Sequence, residues 1–139
     1  MRAIEKFCLL LGRLLMGTYF ILPGLQKITG YQAMTEYMLA HSVPATAILL
    51  PLTIVIQIAA GLAIIVGFKG KFAAFILAGL TLIISIYMHD FWGMEEGLAR
   101  THETQNFFKN MGIMAGLLMV ANIGTGWLSF DNRKDSPLK

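Results

Sequence analysis

Charged residues are missing from long stretches of this chain rather than thinned evenly along it. Ser42 to Phe68 is a run of 27 residues without Asp, Glu, Lys or Arg, Phe72 to Met88 a run of 17, and Met111 to Phe130 a run of 20. A fourth apolar segment, residues 7–26, carries one charge, Arg13. Crossing the hydrocarbon core of a bilayer takes about 20 largely apolar residues, with a working range of about 17–25. The pattern therefore predicts an all-α membrane protein, a bundle of four transmembrane helices near 7–26, 45–67, 72–88 and 107–126. They form a single domain over 1–130, followed by a short tail, 131–139.

The polar stretches between the runs are unequal. The middle one, around Gly67–Lys71, is so short that the second and third spans must form an antiparallel hairpin. The first is long enough for structure of its own. Met34, Tyr37 and Met38 fall at helical spacing there, with Gln32, Thr35 and Glu36 opposite, which suits a short helix lying in the membrane interface. Ser42 followed by Pro44 reads as a cap and early proline opening the second span, and Asn106 as a cap for the fourth. Pro51 should bend the second span and free a carbonyl. Small residues four apart (Ala59 and Ala63, Ala74 and Ala78, Gly112 and Gly116) suit close helix packing in lipid. Trp92 and Trp127 fall where interfacial aromatic belts sit.

Composition agrees with the pattern: 56% of the residues are hydrophobic and only 14% charged, against about 25% charged in a soluble domain. Charge then supplies an orientation. Arg2, Lys6, Lys69, Lys71, Arg133, Lys134 and Lys139 lie on one side of the predicted bundle, and Lys27, Arg100 and Lys109 on the other. The positive-inside rule puts both termini and the short middle loop in the cytoplasm. Glu36, Asp90, Glu95, Glu96 and Glu103 fall on the opposite, outer side. Scattered in ones and twos, the basic residues do not suggest a nucleic-acid partner. An arginine inside the first apolar segment, with no A-x-A-like cleavage site after it, points to a retained helix, not a cleaved signal.

Two polar groups stand out at membrane depth, where such residues are costly and mark candidate sites. The first is an intramembrane pair, Arg13 and Gln57, at ~10 Å and ~15 Å from the cytoplasmic ends of their helices, counting about 1.5 Å per residue. That spacing allows them to meet across a helix contact. It equally allows Arg13 to reach the headgroups while Gln57 bonds a backbone carbonyl near Pro51. The second lies at the outer ends of three spans: Gln26 and Lys27, His89, and Lys109 and Asn110, with Tyr31, Phe91, Trp92 and Asn106 at the same height. Lysines, a titratable imidazole and aromatic walls suit an anionic or quinone-like head group; the same residues also commonly just line an interface. The histidines, His41, His89 and His102, lie at or beyond the outer surface, which disfavours a haem. The lone Cys8 offers neither a disulfide within the chain nor a metal-ligand spacing. No Walker loop, dinucleotide fingerprint or nucleophile elbow is present, so the catalytic residues are unknown and no stand-alone catalytic machinery is visible.

The sequence resembles the DoxX family, closest to its small four-helix inner-membrane members. The resemblance is carried by Gly12-Arg13-Leu14, by Gly24 to Tyr31, by Tyr37-Met38 and Val43-Pro44, and by Gly61 to Phe68. It continues through His89-Asp90-Phe91-Trp92, Asn106 to Asn110, and Gly124-Thr125-Gly126 before Ser129-Phe130-Asp131. It implies a four-helix bundle in the bacterial cytoplasmic membrane and association with redox enzymes, since relatives serve thiosulfate:quinone oxidoreductase or complexes handling oxidative and thiol stress. Where relatives commonly carry glutamate in the second span, this chain has Gln57, which removes the acid that proton-coupled chemistry in the bundle core would need. The leading reading is a subunit or anchor of a quinone-linked membrane complex with a head-group site at the outer end. A small oligomeric transporter or lipid-handling protein, and a purely structural subunit, are the alternatives.

Overall fold

The computed structural model describes residues 3–133. Arg2, Lys134 and Lys139, counted above for orientation, and residues 134–139 of the tail lie outside it. Among the described residues the fold is all-helical: α1 (Ala3–Thr29), α2 (Tyr31–Ala40), α3 (Thr46–Val66), α4 (Gly70–Met88), a 3-10 turn (Phe91–Gly93), α5 (Leu98–Ile123) and α6 (Phe130–Arg133). Three stretches, Ala3–Thr29, Thr46–Val66 and Gly70–Gly93, are long and apolar enough to cross a membrane. The fourth long helix, α5, has 26 residues, but its first half is polar through Asn110 and its apolar half starts at Met111. Large apolar side chains point outward along the long helices, with Ile48 68% and Phe72 66% exposed. A water-soluble monomer rarely shows such continuous apolar faces.

Two expected boundaries move. Helix α5 begins at Leu98, behind Gly97 at φ 155, so Asn106 sits two turns inside it and caps nothing. The polarity of residues 98–110 hid these turns from a hydropathy reading. Helix α3 opens behind Ala45 in the left-handed region with no side-chain cap. Ser42 is also left-handed (φ 54), and the local bond there runs from Thr46 Oγ1 to the Val43 carbonyl. Pro51 falls inside α3, and Pro23 inside α1, without ending either helix.

Helix α1 packs chiefly on α3 and α4 on α5, with α3 touching α4 and α2 lying against α3. The α1–α3 contact is backbone on backbone. A Cβ built on Gly17 would lie 2.6 Å from the Gly61 carbonyl oxygen, and one built on Gly61 2.9 Å from that of Gly17. The expected small-residue pair Ala74 and Ala78 is buried on α4, with Leu77 and, from α5, Leu117. Ala59 is exposed and a Cβ on Gly112 would meet nothing, so of those two motifs only Ala63 and Gly116 pack within the chain. A second core gathers Met38 of α2, Val43, Leu50 and Ile54, and Met88 of α4.

Beyond Ile123 the chain folds back over the end of the bundle where α1 begins. The Asp131 carboxylate accepts hydrogen bonds from the amides of Lys69 (2.8 Å) and Gly70 (2.9 Å), an anion placed at the N-terminus of α4 where helix dipole and free N–H groups favour it. The Asp131 amide returns a bond to the Gly67 carbonyl at 2.8 Å. Lys6 lies 4.5 Å over the Trp127 ring.

A polar-tipped cavity at the far end of the bundle

At the opposite end, α1, α2, α3, α4 and the polar turns of α5 surround a cavity of about 280 Å³. Its upper wall carries Lys27, Tyr37, His89 and Lys109, and its lower wall Gln57, Thr81 and Asn110, between apolar side chains such as Phe20, Leu50 and Met88. Hydrogen bonds between helices brace it. His89 Nδ1 lies 2.6 Å from Glu103 Oε2, joining the end of α4 to α5. Asn110 Nδ2 donates to Ser85 Oγ at 3.1 Å, and Ser85 donates to the Thr81 carbonyl at 2.7 Å. Tyr19 reaches Asn110 Oδ1 from α1 at 3.5 Å. Lys27 Nζ donates to the Pro23 carbonyl of its own helix, 3.5 Å away, and Lys109 Nζ to Asn106 Oδ1 at 3.1 Å. Partial burial first, then the charges of Glu103 and Asp90, push the Tyr37 phenol upward, so it remains a neutral donor near pH 7.

Four of the expected outer-layer residues, Lys27, His89, Lys109 and Asn110, thus line one cavity. Trp92 does not. It belongs to an aromatic cluster with Phe91 (centroids 5.4 Å apart) and Phe107 (5.7 Å), rings that hold the 3-10 turn on α5. Tyr19, Tyr37 and Glu103 join the site unforeseen. Their signal was available only in the register of helices: Tyr19 lies in an apolar run, Tyr37 in the short helix after it, and Glu103 in polar residues with no predicted helix.

Arg13 and Gln57 are not brought together. Gly24, not Arg13, is the α1 residue beside Gln57; eleven residues of helix, about 16 Å at 1.5 Å per residue, separate the two levels. The sequence count went astray because α1 starts at Ala3 and extends past the end of α3. Arg13 is buried and clasps the returning segment: Nη1 donates to the carbonyls of Thr125 (3.0 Å) and Trp127 (3.3 Å), and Nη2 to that of Leu128 (3.0 Å). It neither snorkels to headgroups nor pairs with the amide. Gln57 lines the cavity at the other end, and its buried Oε1 has no hydrogen-bond partner among the described residues. A buried acceptor left in that state costs about 1–3 kcal/mol.

The fold and cavity define a class: an all-helical polytopic membrane protein with a small polar-tipped pocket at one end. A family model, DoxX, matches residues 8–90. The chain belongs to the DoxX family. It is 37% identical to inner membrane protein YqjF of Escherichia coli (strain K12), over 94% of this chain and 95% of that one. It is 29% identical to inner membrane protein YphA of the same organism, over 94% and 93%. A shorter likeness, 32% over 59% of this chain and 26% of the other, links it to the ER-derived vesicles protein ERV29 of Saccharomyces cerevisiae. No solved structure matches.

Proposed function

We propose that the chain is a bacterial cytoplasmic-membrane subunit whose cavity holds the head of a quinone or quinol within a larger redox complex. All four long helices cross the bilayer, both ends face the cytoplasm, and the cavity opens at the periplasmic end. The lysine and arginine distribution supports this orientation, and the inner-membrane names of both Escherichia coli relatives support the location. The redox partnership rests on the family resemblance.

The observation that carries the ligand is the convergence of Lys27, His89, Lys109 and Asn110 on the cavity that Gln57 also lines, beside a buried Oε1 with no partner among the described residues. Cations and N–H groups suit carbonyl oxygens, while a lone buried acceptor calls for a hydroxyl. A quinone/quinol couple presents both. At about 280 Å³ the cavity is near the lower limit of ligand pockets, enough for one ring and its substituents.

The test is equilibrium binding of a tail-less dimethoxy-methyl-benzoquinone, oxidised and reduced, to the protein in nanodiscs. Saturable binding is expected. Lys27→Ala should weaken the oxidised form about tenfold, the loss of roughly one charge-assisted hydrogen bond. Gln57→Leu should weaken the reduced form several-fold more than the oxidised one. Wild-type protein that binds neither form sinks the ligand reading. A gentle-detergent pull-down that recovers no quinone-linked dehydrogenase or oxidase subunit sinks the redox partnership.

A further inference from the structure

We propose that the cavity receives its ligand sideways from the lipid, between α3 and α4, and that an apolar groove on that face holds the ligand's single hydrocarbon tail. This rests on the head-group reading above and adds to it a route and a ligand class: a one-tailed amphiphile drawn from the bilayer, not a water-soluble head.

A second cavity, about 620 Å³, lies along the lipid-facing surface of α3 and α4. Among the described residues no charged one lines it; its walls are side chains such as Leu52, Ile56, Phe75 and Ile83. Four residues, Met38, Thr53, Ile84 and Met88, line both this groove and the polar cavity. They form a shared partition with polar groups behind it and hydrocarbon surface in front. Two of the four are methionines, whose unbranched side chains change shape at little cost. Displacing those side chains would join the two spaces and give an amphiphile whose ring sits near Gln57 an apolar path for its chain toward the lipid.

Gly79 stands in the groove. A glycine inside a helix is destabilising relative to alanine, and the usual return is close approach of a neighbouring backbone. Here a Cβ on Gly79 would meet nothing within 4 Å. The missing side chain leaves volume in the groove, and that volume is what a tail would fill. The same openness makes Gly79 a position where a large side chain can be added without disturbing the helix or the polar cavity.

The experiment compares the tail-less benzoquinone with the same ring carrying a decyl chain, on wild-type and Gly79→Phe protein, each measured against protein-free nanodiscs. The wild type should bind the decyl compound at least tenfold more tightly than the tail-less one. Gly79→Phe should remove that gain and leave tail-less binding unchanged; Gly79→Leu should remove part of it. A tail that brings no gain in the wild type overturns the inference alone, as does a gain that survives Gly79→Phe. So does a change of oligomeric state in Gly79→Phe with the gain intact, which would give the groove to a second copy of the chain. Wild-type protein that binds neither compound fails one step earlier, at the head site, and takes the tail with it.

Discussion

Arg13→Ala is expected to lower stability by about 3 kcal/mol or more, because it strips the donors from three carbonyls at once. Thr125 is buried, and Arg13 itself is 6% exposed, so water does not readily replace the guanidinium. Hydrogen bonds to charged groups contribute about 1.5–3 kcal/mol each, but those of one side chain do not simply add. Arg13→Lys should recover only part of the loss. One ammonium on a flexible stem cannot present two nitrogens to the carbonyls of Thr125, Trp127 and Leu128 in the way a planar fork does. Thermal unfolding in nanodiscs checks the order wild type, lysine, alanine. An alanine variant as stable as the wild type would mean that Arg13 merely lies against the returning segment.

Gly17→Val should be comparably harmful for the opposite reason, excess volume. Even the first added carbon meets the Gly61 carbonyl oxygen at 2.6 Å, and backbone cannot rotate away as a side chain can. Overpacking of this kind costs about 1–3 kcal/mol or more. Here the relief is separation of α1 from α3, which loosens the register that sets Gly24 beside Gln57. Gly12→Ala is the control: on the same helix its Cβ meets nothing, and the change should be neutral or stabilising by up to about 1 kcal/mol. If Gly17→Val unfolds no earlier than Gly12→Ala, the close backbone contact is not what holds α1 to α3.

The spans were legible because about 20 consecutive residues without charge are what a bilayer core demands of a crossing helix, and a small water-soluble core has no room for several such runs. The runs around Arg13, Pro51 and Leu77 all became helices on that signal. The start of α5 was not legible: residues 98–110 are helical for tertiary reasons, with Glu103 reaching His89 and Asn110 reaching Ser85, and nothing in their hydropathy announces it. Part of the outer layer was readable, since Lys27 and His89 stand at helix ends, and Lys109 and Asn110, though three turns inside α5, lie where its charge-free run begins. The partner of Arg13 was not. It is a set of backbone carbonyls, which look the same in every residue, so side-chain chemistry points to Gln57 instead. Finding the true register needs Gly17 and Gly61 to be recognised as a pair across two helices, whereas sequence spacing displays small residues only within one.

The clasp on the returning segment also has a place in time. Arg13 precedes Thr125 by 112 residues, and at about 5–20 residues per second a ribosome needs about 6–22 s to supply that stretch. Through that interval the first helix carries a cation whose acceptors have not been made. Its capture therefore waits on the returning segment, and a closed clasp distinguishes a chain that has reached Leu128 from every shorter one.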